Sequence, residues 1–119
     1  MKYVGKIHSG FIRGIEVEDF DRTITRVDEL QDETIGRVLD LRLDLVNHSP
    51  TGFCWGYHGS GPAQAALAIL ADYFRDDQKA LYLYQTFKNE AIAKKPMNSD
   101  FVITDIEIET ALAGHENFS

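Results

Sequence analysis

The stretch best placed to do chemistry is Gly56-Tyr57-His58-Gly59-Ser60-Gly61-Pro62, which runs directly into the apolar segment Ala63 to Phe74. Glycines leading into a helix leave backbone N–H groups uncommitted at its positive end, and such groups attract phosphate or carboxylate. Three catalytic patterns could use a turn of this kind, and each fails on a specific residue. A phosphate loop of the NTPase type needs Lys and then Ser or Thr after Gly61, but Pro62 and Ala63 stand there, so both the lysine charge and the magnesium-binding hydroxyl are missing. A dinucleotide fingerprint built on Gly59 and Gly61 needs a small residue at position 64, where the sequence has Gln64. A nucleophile elbow at Ser60 needs glycines two places before and after it, and His58 and Pro62 occupy those places.

Two readings of the turn remain. In one, the backbone at Gly59, Ser60 and Gly61 binds the phosphate or carboxylate of a small molecule or nucleotide. Trp55, Tyr57 and His58 would then stack on its ring, and Arg42 and Gln64 would make polar contacts. In the other, Ser60 caps the helix, the glycines supply positive φ in a strand-to-helix turn, and Trp55 and Tyr57 are core aromatics. The remaining reactive side chains add little. His8, His48, His58 and His115 include no pair at helical i, i+4 spacing, and Cys54 is the single cysteine, so no zinc pattern is present. Cys54 lies inside Phe53-Cys54-Trp55, where a thiol is packed more often than reactive. No catalytic residue, metal ligand or cofactor is assigned, and the expected role is a non-enzymatic binding module.

Charge suggests a second class of function. The 119 residues carry 19 acids against 12 lysines and arginines, a net charge of −7. That balance repels phosphate backbones and disfavours nucleic acid as a partner. Glu16, Glu18, Asp19, Asp21, Asp28, Glu29, Asp32 and Glu33 cluster within a short stretch that holds only Arg22 and Arg26 as counter-charges. This is either a solvated, solubilising face or a surface that docks a basic protein partner, as an inhibitor would. A lone cysteine fits a reducing compartment. The N-terminus shows no signal-peptide pattern, and the apolar run from Ala65 to Ala71 is too short to span a bilayer. A cytoplasmic location and no membrane partner are expected.

The elements that must carry these residues divide the chain. A length of 119 residues suits about one domain. The region 1–57 reads as strand-rich, 58–114 as helix-rich and 115–119 as a short flexible tail. Lys2 to His8 reads as a strand, Ser9-Gly10 as a turn and Phe11 to Val17 as the returning arm, with a bulge or bend at Gly14. Thr23 to Val27 is a weaker strand, and Asp28 to Gly36 fits a helical turn or a loop. Leu39, Leu41, Leu43 and Leu45 alternate with Asp40, Arg42 and Asp44, which predicts a half-buried strand. On its wet face Arg42 can pair with either flanking carboxylate. Asn47 to Gly52 is turn-forming, and Phe53 to Tyr57 is a short aromatic strand.

Pro62 suits the first turn of a helix that is apolar nearly all round and therefore buried. Asp76 or Asp77 caps the next helix, whose stripe is Ala80, Leu81, Tyr84, Phe87, Ala91 and Ile92, with Lys94 and Lys95 at its end and Pro96 stopping it. Phe101 to Ile103 is extended. Thr104 and Glu107 have capping-box spacing ahead of a last helix through Ile106, Glu109 and Leu112 that ends at Gly114. The expected fold is α+β, a small antiparallel sheet from the N-terminal half packed against two to three C-terminal helices.

The segments Leu41-Arg42-Leu43-Asp44-Leu45, Asn47 to Phe53, Trp55-Gly56-Tyr57 and Gly59 to Gln64, with Tyr84-Gln85 and Phe87-Lys88 beyond them, resemble a small family catalogued only as a domain of unknown function. Its members come from bacteria, archaea and their phages, and its hallmark is similar to NHSPTGF-x-WGY-x-GSGPAQ. The resemblance runs nearly ungapped from about Asp40 to Lys95. It implies an intracellular protein with a phage or mobile-element setting and no particular reaction, and it places Cys54 and His58 at the two variable positions of the hallmark.

Overall fold

A computed structural model of the chain describes residues 1–12, 15–28 and 36–115. It is an α+β arrangement: a four-stranded antiparallel sheet with three helices against one of its faces. Strand β1 (Lys2–Ile12) pairs with β2 (Ile15–Val27), β2 with the short β3 (Arg37–Val38), and β1 on its other side with β4 (Phe101–Thr104), giving the order β3-β2-β1-β4. Helices α1 (Ser60–Phe74) and α2 (Asp77–Glu90) precede β4, and α3 (Asp105–Leu112) follows it. The fourth strand thus comes from the C-terminal half.

The expected turn at Ser9-Gly10 is not a turn. β1 continues through both residues, and the pairing with β2 slips between His8 and Gly10 instead. An irregularity of this kind lets the ladder absorb two extra residues of β2 and carry on, so the turn-forming dipeptide becomes a break in register within a long hairpin. Gly14 and most of the Asp28–Gly36 segment lie outside the described residues, as do the side chains at positions 9–20 that carry much of the acidic cluster.

Tyr3, Ile24, Phe101 and Ile103 project from one face of the sheet into the core, where α1 is buried from Gly61 to Ala71. The alanines at 63, 65, 66, 68 and 71 are all buried, so sheet and neighbouring helices approach this helix closely. On α2 the buried residues are Ala80, Leu83, Tyr84 and Phe87. Its helix ends at Glu90, five residues before the expected stop, and a single 3-10 turn over Ile92–Lys94 leads to Pro96. Asp76 caps α2 by accepting from the Lys79 amide at 3.1 Å, and Thr104 caps α3 by accepting from the Glu107 amide at 3.2 Å. On α3 the core-facing pair is Ile108 and Leu112, four apart on one face, so Ile106 points away from the core. Gly114 closes this end at φ +84°, a backbone shape that glycine adopts freely. No described helix is long and apolar enough to cross a membrane.

The largest departure from expectation is the stretch 39–59, where neither predicted strand exists. The Leu39 amide donates to the Ile24 carbonyl at 2.8 Å, after which the chain leaves the sheet. The Asp40 carboxylate captures the Arg42 amide at 2.7 Å, Arg42 takes a left-handed φ of +57°, and the Leu45 amide closes a turn onto the Arg42 carbonyl at 3.0 Å. An aspartate that bonds its own backbone two residues on offers an alternative to a ladder, and here it wins. Leu39 is buried, whereas Leu41, Leu43 and Leu45 are only partly covered. Phe53 to Tyr57 joins no ladder. Trp55 is held instead by its indole N–H, which donates to the Ser99 carbonyl at 2.9 Å.

Candidate functional site

Four of the eight residues singled out around the glycine turn meet at the start of α1. Gly59, not Ser60, is the N-cap, in an extended conformation, and no side chain caps this end. Ser60 is therefore the first helical residue, and the expected Ser60 cap is replaced by glycine. With Pro62 lacking an N–H and the Ala63 amide donating to the Gly59 carbonyl at 3.0 Å, the donors without an intrahelical partner are those of Ser60 and Gly61. Ser60 is exposed but Gly61 is buried. A Cβ at Gly61 would stand 2.5 Å from the Cys54 Cβ and 3.2 Å from the Tyr57 hydroxyl, and one at Gly59 would stand 2.5 Å from the Tyr57 ring. The two glycines are small because Cys54 and Tyr57 lie directly on them. Burial pushes the Tyr57 hydroxyl above its ordinary pKa, and the adjacent Cys54 adds to the shift, so this phenol stays neutral.

The other residues are committed elsewhere. Trp55 is fully buried, edge-on to Phe101 at 4.6 Å between centroids, with the Arg22 guanidinium 4.8 Å over its ring. Only a completely buried indole with its N–H paired would be expected to pack so, and the ring has no free face to offer a ligand. His58 is exposed and meets Asn89 at 3.2 Å. Arg42 binds Asp44 at 3.0 Å and Asp77 at 3.0 Å, tying the loop to the start of α2. Its pairing with Asp44 was expected. Asp77 takes the place of the other flanking carboxylate, because Asp40 accepts from the Arg42 backbone amide.

Gln64 is the most informative of the eight. It is wholly buried, and its carboxamide makes four hydrogen bonds. The His48 and Ser49 amides donate to Oε1 at 2.8 and 2.9 Å, and Nε2 donates to the Leu41 and Val46 carbonyls at 2.6 and 3.0 Å. An amide side chain has two donors and two acceptor lone pairs, so its capacity is filled. Gln64 is a peg on which the irregular stretch 41–49 hangs. His48 adds a second tie through its Nε2, 2.8 Å from the Tyr84 hydroxyl. The residues that carry the family resemblance are thus engaged with one another in fixing this loop over α1 and α2.

One half-buried polar cluster has no counterpart among the sequence candidates. Asp72, whose side chain is 11% exposed, accepts from the Tyr3 hydroxyl at 2.7 Å, from Arg26 at 3.0 Å and from Arg37. It joins β1, β2 and β3 to the last turn of α1. Burial alone would raise its carboxyl pKa, but the hydrogen bonds from Tyr3, Arg37 and Arg26 outweigh burial and hold it below the ordinary carboxylate value. Burial and the Asp72 hydrogen bond push the Tyr3 phenol well above its usual range. A locked aspartate and a locked tyrosine on ion-paired arginines act as a clamp. The signal for it was present: Asp72 and Gln64 are the only strongly polar residues of an otherwise apolar helix, and both required buried partners.

Open surface lies elsewhere. Three grooves of about 300, 320 and 420 Å³ each include Ile106 in their walls. One runs between α3 and the end of α2, one beside the start of β1, and one along α3 towards Tyr73. None of the three touches the glycine turn. Among the described residues no group of three or more His, Cys, Asp and Glu side chains could hold a metal ion.

No curated protein and no solved structure matches the chain. A family model does match, over residues 20–114, and so includes Asp72, Gln64, the glycine turn and α3. With most of its length covered, the chain belongs to the family of unknown function DUF6166.

Proposed function

We propose that this chain is a non-enzymatic protein-interaction module of the cytoplasm, and that it meets a basic partner through the surface around α3. The observation that carries this reading is Ile106. It is 74% exposed, the highest value of any large apolar residue described, and it stands where three grooves meet. Full burial of such a side chain is favourable by roughly 2 kcal/mol, most of which is unrealised in the isolated chain. Helix α3 contains Asp105, Glu107 and Glu109 and no basic residue, and the whole chain is acidic at −7. The groove along α3 towards Tyr73, with Asp105 and Glu109 and no lysine or arginine among its described walls, complements a partner with the reverse charge.

A small anion held at the glycine turn is the weaker reading. It would have the single exposed residue Ser60 to offer a backbone donor, beside a wholly committed Gln64 and a buried Trp55.

Affinity capture from the lysate of the source cell tests the proposal, with the wild-type chain and the Ile106→Asp variant immobilised at equal density. Proteins retained by the wild type and lost by the variant are expected, because a carboxylate at the centre of the patch replaces the apolar contact with a buried charge. Identical retention by both chains would remove this surface from consideration. Position 106 faces away from the core, so the variant should melt within a few degrees of the wild type.

A further inference from the structure

We infer that the groove between Tyr73 and α3 seats an arginine side chain of the partner protein, its guanidinium against Asp105 and Glu109 and its methylenes along Ile106. This deepens the interaction reading above and rests on it.

The acids around Ile106 are not equivalent. Glu90 is paired with Lys94 at 3.7 Å, and Glu107 with Lys95 at 2.9 Å. Asp105 and Glu109 have no cation partner among the described residues. They stand four residues apart on α3, hence on one face of the helix with Cβ atoms roughly 6 Å apart, where like charges repel. The described residues that line their shared groove include no lysine or arginine, so a cation placed between the two carboxylates would relieve that repulsion.

The groove that holds both carboxylates has a volume of about 420 Å³, and its remaining walls are Tyr73, Ile106, Thr110 and Ala113. Its chemistry is therefore two unpaired carboxylates beside apolar surface. Tyr73 donates its hydroxyl to Glu109 Oε1 at 2.5 Å, which fixes the orientation of that carboxylate and leaves its other oxygen available. Asp105 Oδ1 accepts from the Ile106 amide at 2.9 Å, which does the same for the second carboxylate. Two carboxylates held in place favour a planar, multiply donating guanidinium over a mobile ammonium. The three methylenes of an arginine need an apolar bed such as Ile106 provides. A second copy of this chain, with its net charge of −7, would meet this acidic groove with like charge overall.

The test begins with selection of a random peptide display library on the full chain. The enriched peptides are then synthesised and titrated by fluorescence anisotropy against the wild type, Glu109→Gln, the Asp105→Asn/Glu109→Gln pair, and Ile106→Ser. Enriched peptides should carry arginine next to an aliphatic residue. Replacing that arginine by citrulline, which keeps the shape and removes the charge, should weaken binding about tenfold, as for a charge-assisted contact. The double variant should show a similar loss and a flatter dependence on salt. Glu109→Gln alone retains an oxygen for Tyr73 and leaves the start of α3 untouched, so its partial loss separates charge from folding. Peptides without arginine, or equal binding of citrulline and arginine forms, would overturn the assignment of the groove. If Ile106→Ser still abolishes that binding, the α3 surface stands and only the arginine is lost. If neither Ile106→Ser nor the double variant changes it, both readings fall.

Discussion

Replacing Gln64 by leucine keeps the volume of a buried side chain and removes all of its polar atoms. Four backbone groups then lose their partner: the amides of His48 and Ser49 and the carbonyls of Leu41 and Val46. An unsatisfied buried group costs about 1–3 kcal/mol, so four left in place would cost an amount comparable to the whole stability of a typical domain, about 5–15 kcal/mol. The loop will not stay in place. His48 and Ser49 are only partly buried, and opening the segment to water limits the loss to about 4 kcal/mol, the upper range for single substitutions. Urea denaturation followed through Trp55, the only tryptophan and fully buried, should show this as a lower midpoint. Hydrogen exchange on the variant should show unprotected amides at His48 and Ser49 while the α1 interior stays protected. A glutamate at the same position gives an internal control. Its carboxylate would face the Leu41 and Val46 carbonyls, raising its folded pKa above the unfolded value of about 4.3. The glutamate variant should therefore regain stability relative to wild type as pH falls towards that unfolded value, and lose it as pH rises. A leucine variant within about 1 kcal/mol of wild type, with protected His48 and Ser49 amides, would refute the claim that Gln64 holds the loop.

The clamp at Asp72 predicts a pH dependence. Its folded pKa is depressed, so its contribution is present above the unfolded value of about 3.9 and disappears as pH falls through the lower folded value. Asp72→Asn should cost about 1–2 kcal/mol at neutral pH by removing the carboxylate that Tyr3, Arg26 and Arg37 share, in a partly exposed setting where Arg26 keeps Asp28, and it should flatten the acid limb of a stability-versus-pH curve; an unchanged acid limb would show that the clamp contributes nothing. Tyr3 has a raised folded pKa, so the stability it contributes holds below about pH 10 and is lost at more alkaline pH, measurable as a fall in melting temperature that Tyr3→Phe removes. Gly61→Ala should destabilise by about 2 kcal/mol, since the new methyl meets the Cys54 Cβ in a close-packed region; a melting temperature equal to wild type would show that Cys54 yields freely. Gly56→Ala should be worse, because φ there is +87° and the methyl would stand 2.5 Å from the Met97 backbone.

What the sequence determined by itself are the features whose physics is complete within a few residues. The Asp76 and Thr104 caps, Pro62 in a first helical turn and the buried, largely apolar α1 each depend on neighbours within about one helical turn, and all are where local reasoning put them. The same holds for the α+β arrangement, which follows from the order of strand-like and helix-like segments, and for the start of β1, though not for its end, since the strand runs through Ser9-Gly10. Tertiary structure decided where local patterns had a competitor at a distance. The alternation from Leu39 to Leu45 is a sound strand signal, yet the Leu41 and Val46 carbonyls bond to Gln64 on α1 rather than to a neighbouring strand, and the Asp40 and Arg42 turn is the cheaper local geometry once they do. Local spacing carries the last helix through Ile106, Glu109 and Leu112, and that Ile108 joins Leu112 in the core while Ile106 and Glu109 face out depended on the side from which α2 approaches. The glycine turn was legible as a special backbone feature, but whether its amides met solvent or side chains depended on Cys54 and Tyr57 folding back over it. A short sequence window records which hydrogen bonds and burials a segment requires. Which distant groups satisfy them is settled only when the whole chain is folded, because each buried polar atom has to find its partner in three dimensions.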